Sequence, residues 1–91
     1  MGLDGVELVM ECEDQFKIVI SDKEAGDTDT VGELHTLCVR LVQRFHPELD
    51  MHDVQQAEML HRVRVIVSEQ LGVDYERTVP EARFIEDLRM Y

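Results

Sequence analysis

Tryptophan is missing from this 91-residue chain, and three Phe and two Tyr are its only aromatic residues. Any interior must therefore be filled by Leu, Val, Ile and Met. Basic residues are scarce: nine Lys and Arg stand against twenty Asp and Glu, a formal net charge of −11. Residues 1–30 alone hold nine acids and two lysines. A field of that sign repels phosphate backbones and anionic lipid surfaces, which excludes nucleic acid and membrane as partners, and it attracts basic protein surfaces. No apolar run approaches the roughly 20 residues needed to cross a bilayer. The amino end has no secretory pattern, and Val6 stands where myristoylation requires Ser or Thr. A cytoplasmic location is expected. The two cysteines, Cys12 and Cys38, fall on apolar helical positions and read as buried, reduced thiols.

What remains is ordinary globular material. Hydrophobic residues make up 44% of the chain, enough for a core despite the charge. A chain of this length forms one small domain and buries roughly 60–65% of its unfolded surface. The expectation is one domain over residues 1–91 with no internal repeat.

The first stretch, Met1 to Phe16, carries Asp4, Glu7, Glu11, Glu13 and Asp14 before any basic residue. Its apolar residues recur at helical steps (Leu3–Val6–Met10 and Leu8–Cys12–Phe16), so an amphipathic helix with a broad apolar face is predicted. Phe16 to Ile20 is strand-like in composition but has no second run to pair with, and reads as a buried connecting loop. Ser21 with Glu24 has the form of a capping box, predicting a short helix through Ala25 that Gly26 stops. Thr30 with Glu33 is a second box. Behind it Val31, Leu34, Cys38, Leu41 and Phe45 form a buried stripe that Pro47 ends. Residues 46–53 read as a linker, with Asp50 or Asp53 capping the next helix. Leu60, Val63, Ile66, Val67 and Leu71 form that helix's apolar face; Arg62, Arg64 and Glu69 are expected in water, and Gly72 terminates it. Residues 73–80 read as irregular, and Phe84, Ile85 and Leu88 as pins holding a last helical turn to the core. The fold class is all-α: three longer helices near 3–15, 30–45 and 53–71, and a short one near 22–26.

Catalytic chemistry finds little support. Asp27 to Gly32 evokes a calcium loop, but Val31 and Cys38 fall where oxygen ligands are required. His35 and Cys38 are an i, i+3 half-site for zinc that His46, His52 and His61 do not complete. Ser21 and Ser68 lack a Gly-rich elbow or a base. Neither an enzyme nor a metal site is expected.

Two stretches resemble acyl carrier proteins. Leu3-Asp-Gly-Val-Glu-Leu-Val-Met10, Ile20-Ser-Asp-Lys-Glu-Ala25 and Thr30-Val31 are similar to the family's second, third and fourth helices. Val67-Ser-Glu-Gln-Leu-Gly-Val73 and Ala82-Arg-Phe-Ile-Glu-Asp-Leu88 are similar to its first helix and long first loop. The family's first helix thus comes last. The resemblance implies an acyl-carrier-like four-helix bundle in circularly permuted order, with residues 1–45 as helices two to four and 54–91 as helix one and its loop. Permutation is compatible with a small domain because the termini of small domains often lie close together and cuts in surface loops are tolerated.

The family carries its phosphopantetheine arm on a Ser that here is Gly2. The resemblance therefore implies the scaffold but no cofactor. It also implies docking of basic acyl-transfer or synthase enzymes of fatty-acid or polyketide-type metabolism on Asp4, Val6, Glu7, Met10, Glu11, Glu13 and Asp14. The alternative is an acidic helical structural or assembly protein with no biosynthetic partner. A closed monomer is expected, with a domain-swapped dimer as the competing arrangement.

Overall fold

The computed structural model describes residues 3–90. Four helices follow one another: α1 (Leu3–Phe16), α2 (Asp22–Gly26), α3 (Val31–Phe45) and α4 (Asp53–Leu71), with a 3₁₀ turn at Tyr75–Arg77. Among the described residues there is no strand, only an isolated antiparallel bridge between Thr30 and Arg83. The protein is an all-α bundle, and no described helix is long and apolar enough to cross a membrane.

Local chemistry sets the helix ends. Ser21 and Thr30 both close complete capping boxes, each hydroxyl accepting from the N3 amide and each N3 glutamate reaching back to the cap amide. Gly72 ends α4 in the left-handed conformation, φ 65°, and Val73 N–H donates to Ser68 O at 3.1 Å. Lys17 does the same for α1 at φ 56° although it is not glycine. The strain is held in place by His46, whose Nε2 donates to Lys17 O at 2.7 Å and so ties the end of α1 to the end of α3. Two terminators differ from expectation. Gly26 is the last residue of α2 and takes no left-handed turn; the C-cap is Asp27, φ −85°. Neither Asp50 nor Asp53 caps α4: the N-cap is His52, without a side-chain bond, and Asp50 instead pairs with His52 at 2.6 Å.

α1 and α3 both pack on α4, and Leu8, Cys12, Leu34, Leu41, Val63, Ile66 and Val67 share one core. Residues 73–90 form a strap across the start of α3. This covers the end of that helix where unpaired amides are exposed, and the strap supplies their acceptors. Val31 N–H donates to Ala82 O at 3.1 Å and Gly32 N–H to Pro80 O at 2.9 Å, while Phe84 N–H donates to Asp29 O at 2.9 Å. The strap is fastened to α4 by Arg64, which donates to Thr78 Oγ1 at 3.2 Å and Tyr75 O at 3.1 Å and lies 4.1 Å from the Tyr75 ring centroid. Thr78, fully buried although polar, donates its own hydroxyl hydrogen bond to Tyr75 O at 2.6 Å. Arg64 is thus half-buried rather than in water.

Three apolar assignments also change. Met59, not Leu60, is the buried residue near the middle of α4. Phe45 is 44% exposed and Ile85 67% exposed, whereas Phe84, Leu88 and Met90 are buried. Arg89, at φ 56°, turns the chain so that Met90 N–H donates to Phe84 O at 2.8 Å and its side chain enters the core in place of Ile85. A permutation completed within one chain would bring Leu88 to Tyr91 near Leu3 of the same molecule; Tyr91 and the side chain of Leu3 lie outside what the structure describes.

Hydrogen bonds from the Ser21 hydroxyl and amide, with Arg40 at 3.3 Å as a further partner, hold the Glu24 carboxyl below its usual range. A carboxylate with a lowered folded-state pKa adds stability above the ordinary carboxylate range and loses it as pH falls through the lowered value. Glu24→Gln is therefore expected to flatten the acid limb of a stability–pH curve and to leave its slope near pH 7 unchanged, as read by urea unfolding.

Candidate functional site

α1 divides its apolar residues between two sides. Leu8, Cys12 and Phe16, spaced i, i+4, face the core and are buried. Val6 and Met10, another i, i+4 pair, lie on the outside at 46% and 56% exposure. Sequence periodicity had merged both sets into one broad face. Beside the exposed pair, Glu7 and Asp14 are exposed, while Asp4, Glu11 and Glu13 are half-buried. Glu11 Oε1 accepts from Gln15 Nε2 at 2.9 Å. Glu13 acts differently, because its Oε2 accepts from Ile20 N–H at 2.8 Å and fixes the loop between α1 and α2.

That loop forms the far wall of a groove of about 440 Å³ between α1 and α2, lined by Val6, Val9, Met10, Glu13, Ile20 and Asp22. Ile18 and Ile20 are buried while Val19 is exposed, so Phe16 to Ile20 is indeed a buried connection rather than a strand. Ile20 and Asp22 were not anticipated as lining residues. The alternation Ile18–Val19–Ile20 was the available signal, since it turns two of three side chains inward. The site thus combines an apolar floor, two exposed apolar side chains and a rim of carboxylates. It is suited to contact with a basic, partly apolar protein surface.

Gly2 lies outside the described residues. The serines serve the backbone: Ser21 caps α2, and Ser68 Oγ donates to Val73 O at 2.6 Å. His35 and Cys38 do not converge on one point. His35 Nε2 donates to Gln56 O at 2.9 Å, and Cys38 is fully buried. Among the described residues no group of three or more His, Cys, Asp or Glu could hold a metal ion. A second polar cluster joins His61 Nδ1 to Tyr75 OH at 2.8 Å, but its bonds fasten the strap rather than frame a cavity.

Fold and site together define a small acidic helical bundle with a carboxylate-rimmed apolar groove. Over 35 residues, 38% of this chain and 43% of the relative, the sequence is 54% identical to an acyl carrier protein of Thermosynechococcus vestitus. The chain spans less than half the length of that curated relative. No family model and no solved structure matches it.

Proposed function

We propose that residues 1–91 are one acyl-carrier-like binding module in circularly permuted order, acting in the cytoplasm without catalysis. It presents α1 to basic surfaces of acyl-transfer or synthase enzymes of fatty-acid or polyketide-type metabolism. The observation that carries the reading is the outer side of α1, where Val6 and Met10 stand exposed beside Glu7 and Asp14. The local similarity to an acyl carrier protein supports the choice of partner class. Asp4, Glu11 and Glu13 complete the acidic rim, Glu13 chiefly by holding the Ile20 wall.

Binding to an immobilised ketosynthase is the test. It is expected to weaken steadily with added salt, because charges at an exposed rim are screened over about 10 Å at 0.1 M ionic strength. The double reversal Glu7→Lys with Asp14→Lys should weaken it about tenfold, or roughly 1.4 kcal/mol. Binding that ignores both salt and reversal would leave the acids as solvation of a helix face, and the chain as a structural or assembly protein.

The module carries no phosphopantetheine arm in this reading, because Gly2 offers no hydroxyl for the phosphodiester. Co-expression with a broad-specificity phosphopantetheinyl transferase is expected to leave the intact mass unchanged. An added arm mapping to Ser21 or Ser68 would refute that.

A further inference from the structure

Cations are scarce in this chain, yet two stand at one pocket without an anion. Lys23 is paired with Asp27 and Arg40 with Glu24. Lys17, at the end of α1, and Arg62, on α4, form no ion pair among the described residues, although acids outnumber bases twenty to nine. Arg62 rests instead on neutral groups: it donates to Gln15 Oε1 at 3.0 Å and lies 5.2 Å from the Phe16 ring centroid. Both cations are exposed and border a pocket of about 330 Å³ where the ends of α1 and α3 meet the start of α4. Phe16, Val42 and Met59, all buried, form its floor, with Met51 half-buried and Leu49 of the linker 53% exposed. Glu58 is the one acid among the lining residues.

We propose that this pocket binds a small aromatic carboxylate, its ring on the apolar floor and its carboxylate between Lys17 and Arg62. An inorganic anion would leave the floor uncovered, and a neutral hydrocarbon would leave both cations unused. A ring suits the floor better than an alkyl chain, because methionine sulfur is attracted to ring edges and Met51 and Met59 both line it. A guanidinium already set against Phe16 also has a second face on which another ring can stack. The volume is at the lower end of the range for small-molecule sites, which suits one or two fused rings. The carboxyl ends of α1 and α3 oppose an anion here. His46 offsets them: its N–H donates to Val42 O at 2.8 Å and its Nε2 to Lys17 O at 2.7 Å, so both carbonyls are occupied. The site lies at the other end of α1 from Val6 and Met10 and does not depend on the binding reading of that side.

Equilibrium dialysis of 2-naphthoate against the full chain at low ionic strength is the test. One equivalent is expected to bind, with a dissociation constant of about 0.1–1 mM, the range open to a ligand of this size. Replacing both cations, Lys17→Gln with Arg62→Gln, should weaken binding about tenfold. Glu58→Gln removes the one opposing charge and should tighten it about twofold. All three positions are exposed, so the fold should survive, as circular dichroism will show. 2-Naphthamide, the same ring without the charge, should bind about fivefold more weakly or worse. Octanoate, the same charge without the ring, should also bind more weakly. Equal binding of amide and carboxylate, or of the parent and the double variant, would overturn the proposal. So would several naphthoates per chain, tighter binding of octanoate, or weaker binding by Glu58→Gln.

Discussion

Phe84→Ala is expected to remove the largest single share of stability available to one substitution in the strap. Phe84 is buried to 2% exposure, and its backbone bridges Asp29 on one side and Met90 on the other. Truncating a buried Phe costs about 3–5 kcal/mol, the lost transfer free energy plus the cavity left behind. A domain of this size has a total stability of about 5–14 kcal/mol. The substitution therefore removes between a fifth and all of it. The cavity would open beneath the strap, so its carbonyls would also hold the amides of Val31 and Gly32 less firmly. Urea unfolding is the measurement, with Ile85→Ala as the control. Ile85 is adjacent in sequence but two-thirds exposed, and its truncation should change stability by less than about 0.5 kcal/mol. Equal losses at the two positions would contradict the placement of the strap.

That contrast also shows what the sequence could and could not convey. α3 was legible almost in full because its determinants are local: a capping box at Thr30 and Glu33, then Val31, Leu34, Cys38 and Leu41 at helical steps. α2 was legible for the same reason. α4 was found, but its facing was blurred, because α1, α3 and the strap cover different sides of it and its apolar residues are spread accordingly. Met59 could not be separated from Leu60 on period alone. What Arg64 does depends on Thr78 and on the Tyr75 carbonyl, more than ten residues away, which no periodicity encodes. The exchange of Ile85 for Met90 rests on a left-handed Arg89, a conformation that a non-glycine residue does not announce. At the site, the acidic character of α1 was plain from composition. The engagement of Glu13 by the Ile20 amide was not, and it separates a carboxylate that shapes the groove from Glu7 and Asp14, which face solvent.

Gly32 is where helix preference and packing oppose each other, and packing is expected to win. In the first turn of α3, exchanging Gly for Ala should by propensity alone add up to about 1 kcal/mol. A Cβ built there, however, would lie 3.0 Å from Pro80 O and 3.3 Å from Pro80 Cβ. The oxygen is backbone, and it is the acceptor for Gly32's own amide at 2.9 Å, so it cannot retreat without losing that bond. Gly32→Ala should thus come out destabilising by about 1 kcal/mol, the overpacking outweighing the propensity gain. Gly32→Val adds two further carbons at the same point and must displace the strap. The amides of Val31 and Gly32 would then lose Ala82 O and Pro80 O, and each unpaired buried amide costs about 1–3 kcal/mol. A loss of about 3 kcal/mol is expected for Val, with exchange protection falling first at the amides of Val31, Gly32 and Phe84. Gly26→Ala supplies the comparison: its added Cβ meets nothing within 4 Å, so propensity acts alone and the change should be neutral or slightly stabilising. If Gly32→Ala stabilised the chain as much as Gly26→Ala, the close approach of the strap to the start of α3 would be wrong.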